Sequence, residues 1–90
     1  MKPKTVSLMI GGEYRTHEYS VSVVMGHLAQ NPNGLTIRQL RERMGLKSTN
    51  DNAQLWELLR LLRDQGWVAS RMEHSSFGWN HMVFRTALKG

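Results

Sequence analysis

Thr49, Asn52, Trp56, Arg60 and Arg63 recur three or four residues apart in a stretch that also carries Leu55, Leu58, Leu59 and Leu62. On a helix successive residues lie about 100° apart. That spacing turns Leu55, Leu59 and Leu62 inward with Leu58 at the edge of the stripe, and puts the polar set on a flank roughly a quarter turn away. The chemistry open to this flank is recognition. An asparagine amide matches the edge of adenine, an arginine guanidinium matches guanine or phosphate, and a threonine hydroxyl bonds either. The first N–H groups of such a helix, around Ser48, Thr49, Asn50 and Asn52, lack partners within it and suit a phosphate oxygen. The plainer alternative is a solvated helix surface with Trp56 at the edge of the core.

Other residues can add to this chemistry without sequence choice. Arg38, Arg41, Arg43 and Lys47 are suited to clamp phosphates, and each such contact adds to the salt dependence of binding. Farther along, Arg71, His74, Ser75 and Ser76 belong to a run that can reach a groove or the backbone of a duplex. An ordinary solvated face accounts for the arginines equally well, and Phe77 can tuck under the run instead of leading it outward.

Reaction chemistry finds no comparable pattern. Cysteine is absent, which removes disulfides, thiol catalysis, zinc ribbons and iron–sulfur sites. His17, His27, His74 and His81 show neither HxxxH nor HxH spacing. Asp51, Glu57 and Asp64 do not form a paired-acid set, and neither GxxxxGK[ST] nor GxGxxG occurs. The expectation is a protein that is not an enzyme and uses no metal, cofactor or small-molecule ligand.

The chain has 90 residues, 40% apolar and 21% charged, and a formal charge of +5. That size allows one domain, and the composition is that of a globular protein. The excess charge is spread as +1 over residues 1–35, +2 over 36–66 and +2 over 67–90. A basic domain of this kind is attracted to polyanions, although charge alone is a weak warrant. No run approaches a membrane span, and the start MKPKTVSLMIGG lacks the apolar core of a leader. Together with the missing cysteines this leads us to expect a cytoplasmic protein.

The elements that must position these residues follow from periodicity and punctuation. Residues 5–10 and 13–17 flank Gly11-Gly12 and can form a short hairpin. Tyr19, Val23, Val24 and Leu28 predict a helix over 18–30, stopped by Asn31-Pro32-Asn33-Gly34. Its β-branched content leaves a strand alternative for the first half. Ile37, Leu40 and Met44 predict a helix over 37–44, with Thr36 and Gln39 in capping-box register and Gly45 just past the end. Ser48 or Thr49 caps a third helix over 49–65, ended by Gly66. WVASRMEH and WNHMVFRTAL both alternate, which predicts two strands joined by a loop over 75–78. In the first, Val68, Ser70, Met72 and His74 point one way and Trp67, Ala69, Arg71 and Glu73 the other; in the second, Asn80, Met82, Phe84 and Thr86 are opposed to Trp79, His81, Val83 and Arg85.

A short helix, the turn Met44-Gly45-Leu46-Lys47 and a longer amphipathic helix followed by a hairpin make a helix-turn-helix with a wing. The text from GLTIRQLRERMGLK through LWELLRLLRDQGWV to FRTALKG, residues 34–90, resembles the winged helix-turn-helix superfamily. The resemblance is to an architecture and not to one member. It implies an α+β fold of three helices and a C-terminal β-hairpin wing, with an N-terminal extension at 1–17, a helical core at 18–66 and the wing at 67–87. It also implies double-stranded DNA as partner, with the helix at 49–65 in the major groove. The simplest such protein is a homodimeric transcriptional regulator, with residues 5–20 as the expected dimerisation element. A competing reading is a winged-helix protein-interaction module, or a replication or recombination accessory factor, using Trp56, Leu61, Trp67 or Trp79. Asn52, Trp56 and Trp79 are also loosely similar to the set of Z-DNA-binding Zα domains. Ser48 in place of that family's lysine, Trp in place of its tyrosine and the longer wing all speak against that likeness.

Overall fold

The computed structural model describes residues 5–74, 78 and 80–87. Along them run β1 (Met9–Ile10), β2 (Glu13–Tyr14), α1 (His17–Ala29), β3 (Leu35–Thr36), α2 (Ile37–Met44), α3 (Thr49–Asp64), β4 (Val68–His74) and β5 (Asn80–Thr86). Among the described residues these make an α+β fold with three helices and two antiparallel sheets. β1 and β2 form one sheet, and the other has the order β3-β5-β4.

Each helix starts where a side chain meets its unpaired N–H groups. Thr16 Oγ1 accepts from the Tyr19 N–H at 3.1 Å, so α1 begins one residue before the predicted 18–30. In α2 the capping box forms in full. The Gln39 N–H donates to Thr36 Oγ1 at 3.1 Å, and the Thr36 N–H donates to Gln39 Oε1 at 2.9 Å. Gly45 closes α2 in the left-handed region with φ 72°. Of the two candidate caps for α3, Ser48 is used: its Oγ accepts from the Asp51 N–H at 3.0 Å. Asp51 is itself buried in the first turn of α3, where the positive end of the helix dipole favours a carboxylate.

The core gathers Val24 and Leu28 of α1, Leu40 and Met44 of α2, Leu55, Leu58, Leu59 and Leu62 of α3, and Val68 and Phe84 of the sheet. Leu58 is 0% exposed instead of lying at the edge of the stripe. α3 packs against both α2 and β4, so its buried sector is wider than one row of leucines.

One feature departs from the pattern predicted for the C-terminal strands. β3 was not predicted, because a two-residue strand shows no periodicity. It pairs Leu35 with Phe84 and Thr36 with Val83, which makes β5 the central strand. Val83, which alternation sets on the face opposite Phe84, is therefore buried on one side of β5, as Phe84 is on the other. The turn before β3 lies over Val83: a Cβ added to Gly34 would collide with Val83 Cγ1.

The segment before β1 also joins the core. Val6 and Leu8 are buried while Thr5 and Ser7 face out, the period of an extended chain. The Val6 N–H donates to His17 Nδ1 at 3.0 Å, and the Leu8 N–H donates to Ser20 Oγ at 3.4 Å. Val6 and Leu8, in a segment read as an extension, are thus part of the chain's own core.

Candidate nucleic-acid interface

The chain's own elements cover the polar flank of α3 only in part. Thr49, Asn50, Arg60 and Arg63 are exposed, Asn52 is half-buried, and Trp56 retains 38% of its surface. Ser48 and Lys47 are exposed in the turn that enters the helix. The leucines hold this helix from behind, so the orientation of the flank follows from the burial of the stripe.

Three contacts organise the flank. Arg41 on α2 is half-buried, and its Nη1 donates to Asn52 Oδ1 at 3.2 Å. This bond turns the amide so that its Nδ2 donors point away from Arg41, while the second lone pair of Oδ1 stays open. Trp56 sets its ring edge-on to Phe84, with centroids 5.5 Å apart and planes at 81°. Arg63 Nη1 reaches Ser70 Oγ on β4 at 3.4 Å, which links the helix to the hairpin. Between Trp56, the start of α2 and β5 lies an open depression of about 440 Å³ lined by Thr36, Ile37, Arg38, Gln39, His81 and Met82 with the indole.

The hairpin continues the surface along one face. Ser70, Met72 and His74 of β4 alternate on the side of Phe84 and pair with Phe84, Met82 and Asn80. Met72 is 61% exposed. His74 Nδ1 and Asn80 Oδ1 are 2.7 Å apart. Ser70 and Asn80 were missed as candidates, although the alternation that places His74 on this face includes both. Ser75 and Ser76 lie outside the described residues.

Cations divide by their partners. Arg38 faces Glu42 at 3.4 Å. Arg71, on the opposite face of the sheet from Ser70, faces Glu73 at 2.7 Å and donates to the Asn33 carbonyl at 3.2 Å. It ties the hairpin to the turn before β3. Among the described residues no carboxylate comes within ion-pair distance of Arg41, Lys47, Arg60 or Arg63. These four are on α3, on the turn before it or on the helix that braces it. The structure thus separates Arg38 and Arg71, which have acidic partners, from Arg41, Lys47, Arg60 and Arg63, and equally from Arg43 and Arg85.

Among the described residues no three His, Asp or Glu are placed to share a metal ion. His81 Nε2 stands 4.0 Å from Glu73, and His17 Nδ1 is occupied by the Val6 N–H. No helix among the described residues is long and apolar enough to cross a membrane. Compared with family models, curated proteins and solved structures, the chain has no match.

Proposed function

We propose that this chain is a winged-helix domain that binds double-stranded DNA, with α3 entering the major groove and the β4–β5 hairpin as the wing beside it. The order helix, short strand, helix, helix, hairpin supports the architecture, with the short strand paired to the last one. One observation carries the function: the exposed flank of α3 groups Asn52 with Arg60, Arg63, Arg41 and Lys47, none of whose charges is neutralised by a described carboxylate. A basic stripe that keeps its charges for a partner is the electrostatic footprint of a polyanion-binding face. Asn52 supplies base reading, and the cations supply phosphate contacts that fix register. Regulation of transcription is the simplest use of such binding.

Salt dependence tests the reading. Affinity for a mixed-sequence duplex is expected to fall linearly with salt on a log–log plot. Arg60→Ala and Arg63→Ala should each flatten the slope by about one unit. Absence of binding at low salt would instead favour a protein-interaction module.

Asn52→Ala tests the reader. On the best site selected from a random pool it is expected to cost about 1–3 kcal/mol and to relax preference at one base pair. Arg41→Ala is expected to produce part of that relaxation as well as a general weakening, because Arg41 orients the Asn52 amide. Unchanged selectivity in both variants would remove α3 as the reading element.

A further inference from the structure

Between Glu18 and Arg38 the chain carries no Asp, Glu, Lys or Arg. α1 lies in this stretch, and most of it stands at the surface. Only Ser20, Val24 and Leu28 of α1 are buried, while Val21, Val23 and Met25 are half-covered and Tyr19 is 46% exposed. A surface helix ordinarily turns a charged face to water; past Glu18 this one has none.

Next to it stands Trp67, just beyond α3, with 55% of its surface exposed. An apolar hollow of about 440 Å³ opens beside the indole, lined by Met25, Ala29, Gln65, Thr86 and Ala87. A second, of about 230 Å³, lies between Trp67, Val21, Leu62 and Glu18. A third, along Tyr19, Ser22, Val23 and Gly26, continues over α1. Among the described residues no Lys or Arg lines any of the three, and Arg15, whose guanidinium lies 5.0 Å over the Tyr19 ring, is paired with Glu13 at 3.3 Å.

We propose that this face, α1 with Trp67, is the contact between two copies of the chain, each Trp67 seated in the hollow beside its counterpart. Two arguments select a second copy. A two-fold contact must be self-complementary, and this patch carries a protruding indole and a hollow next to it. Charge gives the other argument. Two chains of +5 each repel, and hollows lined by no described Lys or Arg let them meet with less repulsion than the α3 flank would. The same lack of cations argues against a nucleic acid or an anionic membrane as occupant. Val6 and Leu8 are buried within the monomer, so these two residues of the N-terminal segment are not available for the role. α3, with 16 residues, spans about 24 Å, and the contact lies at the end away from Ser48. Pairing there leaves both cationic flanks uncovered, but the proposal does not depend on what they bind.

Sedimentation equilibrium of the full chain without DNA, at micromolar concentration, tests it with two variants. Gly26→Lys puts a charge on the α1 face. A Cβ there meets nothing within 4 Å, and lysine is the better helix former, so the fold is not at risk. Trp67→Ser removes the indole and keeps its main-chain bonds to Leu62 and Ala87. The expected result is a wild-type dimer whose dissociation constant rises about tenfold or more in each variant, with unchanged helical circular dichroism. A wild-type chain that stays monomeric to millimolar concentration would overturn the proposal. So would a dimer insensitive to both substitutions, or a monomer whose Trp67 is shielded from a soluble quencher by the chain's own ends.

Discussion

Phe84→Ala is expected to lower stability by about 3–5 kcal/mol, the range for removing a fully buried phenyl ring. Phe84 is 0% exposed on the central strand β5 and pairs with Leu35 on one side and Ser70 on the other. A domain this small has little to spare, since marginal stabilities run about 5–15 kcal/mol and small cores fall toward the low end. The loss also reaches the candidate interface, because the Trp56 ring rests edge-on against Phe84. Phe84→Leu, which keeps most of the volume, should remain folded and isolate that second effect. It is expected to weaken duplex binding more than it weakens the fold. Urea unfolding followed by far-ultraviolet circular dichroism measures the first quantity. A loss under about 1 kcal/mol for Phe84→Ala would contradict the packing described.

Gly34→Ala is the second large effect, about 3 kcal/mol or more. Gly34 has φ 96°, where an L side chain is strained, and its Cβ would collide with Val83 Cγ1 and meet the Phe84 carbonyl oxygen at 3.0 Å. That oxygen belongs to the central strand and cannot retreat without disturbing the pairing of Leu35 with Phe84. Gly45→Ala separates the two causes. Gly45 has a similarly positive φ of 72°, but an added Cβ there meets nothing within 4 Å, so about 1 kcal/mol is expected from conformation alone. Equal losses at the two glycines, read from thermal unfolding, would mean that the turn before β3 does not press on Val83.

Those two glycines also show what the sequence could and could not carry. The position of Gly45 was legible, because the apolar spacing of Ile37, Leu40 and Met44 ends there and glycine is the residue that closes a helix. α2 and α3 were legible for the same reason: capping signals and 3.6-residue periodicity agree over their whole length. Gly34 was legible only as a stop. Its close approach to Val83 depends on β3, whose two residues have no pattern of their own. Val83 lies on the face that alternation gave it, but its burial was not legible, because the cover over that face comes from β3 and the turn before it. The N-terminal segment shows the opposite case. Val6 and Leu8 alternate plainly with Thr5 and Ser7, but nothing local says whether such a run packs on its own domain or on another.

At the candidate interface the spacing of Asn52, Trp56, Arg60 and Arg63 was sufficient to place them on one flank. Their partners were not legible, since those come from sequence-distant elements: Arg41 for Asn52, Phe84 for Trp56 and Ser70 for Arg63. The same contacts separate cations that look alike in the sequence. Arg38 and Arg71 face Glu42 and Glu73, whereas no described carboxylate faces Arg60 or Arg63. Being basic therefore does not by itself identify a phosphate-binding residue, and the local count of carboxylates decides more than the count of arginines.

The central claim is that α3 meets a duplex with its Asn52–Arg63 flank, and backbone amide shift mapping during titration with a mixed-sequence duplex tests it most directly. The predicted result is a contiguous set of shifted or broadened amides over residues 47–63 and in Ser70, Met72 and His74, with α1 and Trp67 little changed. Perturbations centred on α1 and Trp67 while α3 stays silent, or no perturbation at low salt, would contradict it.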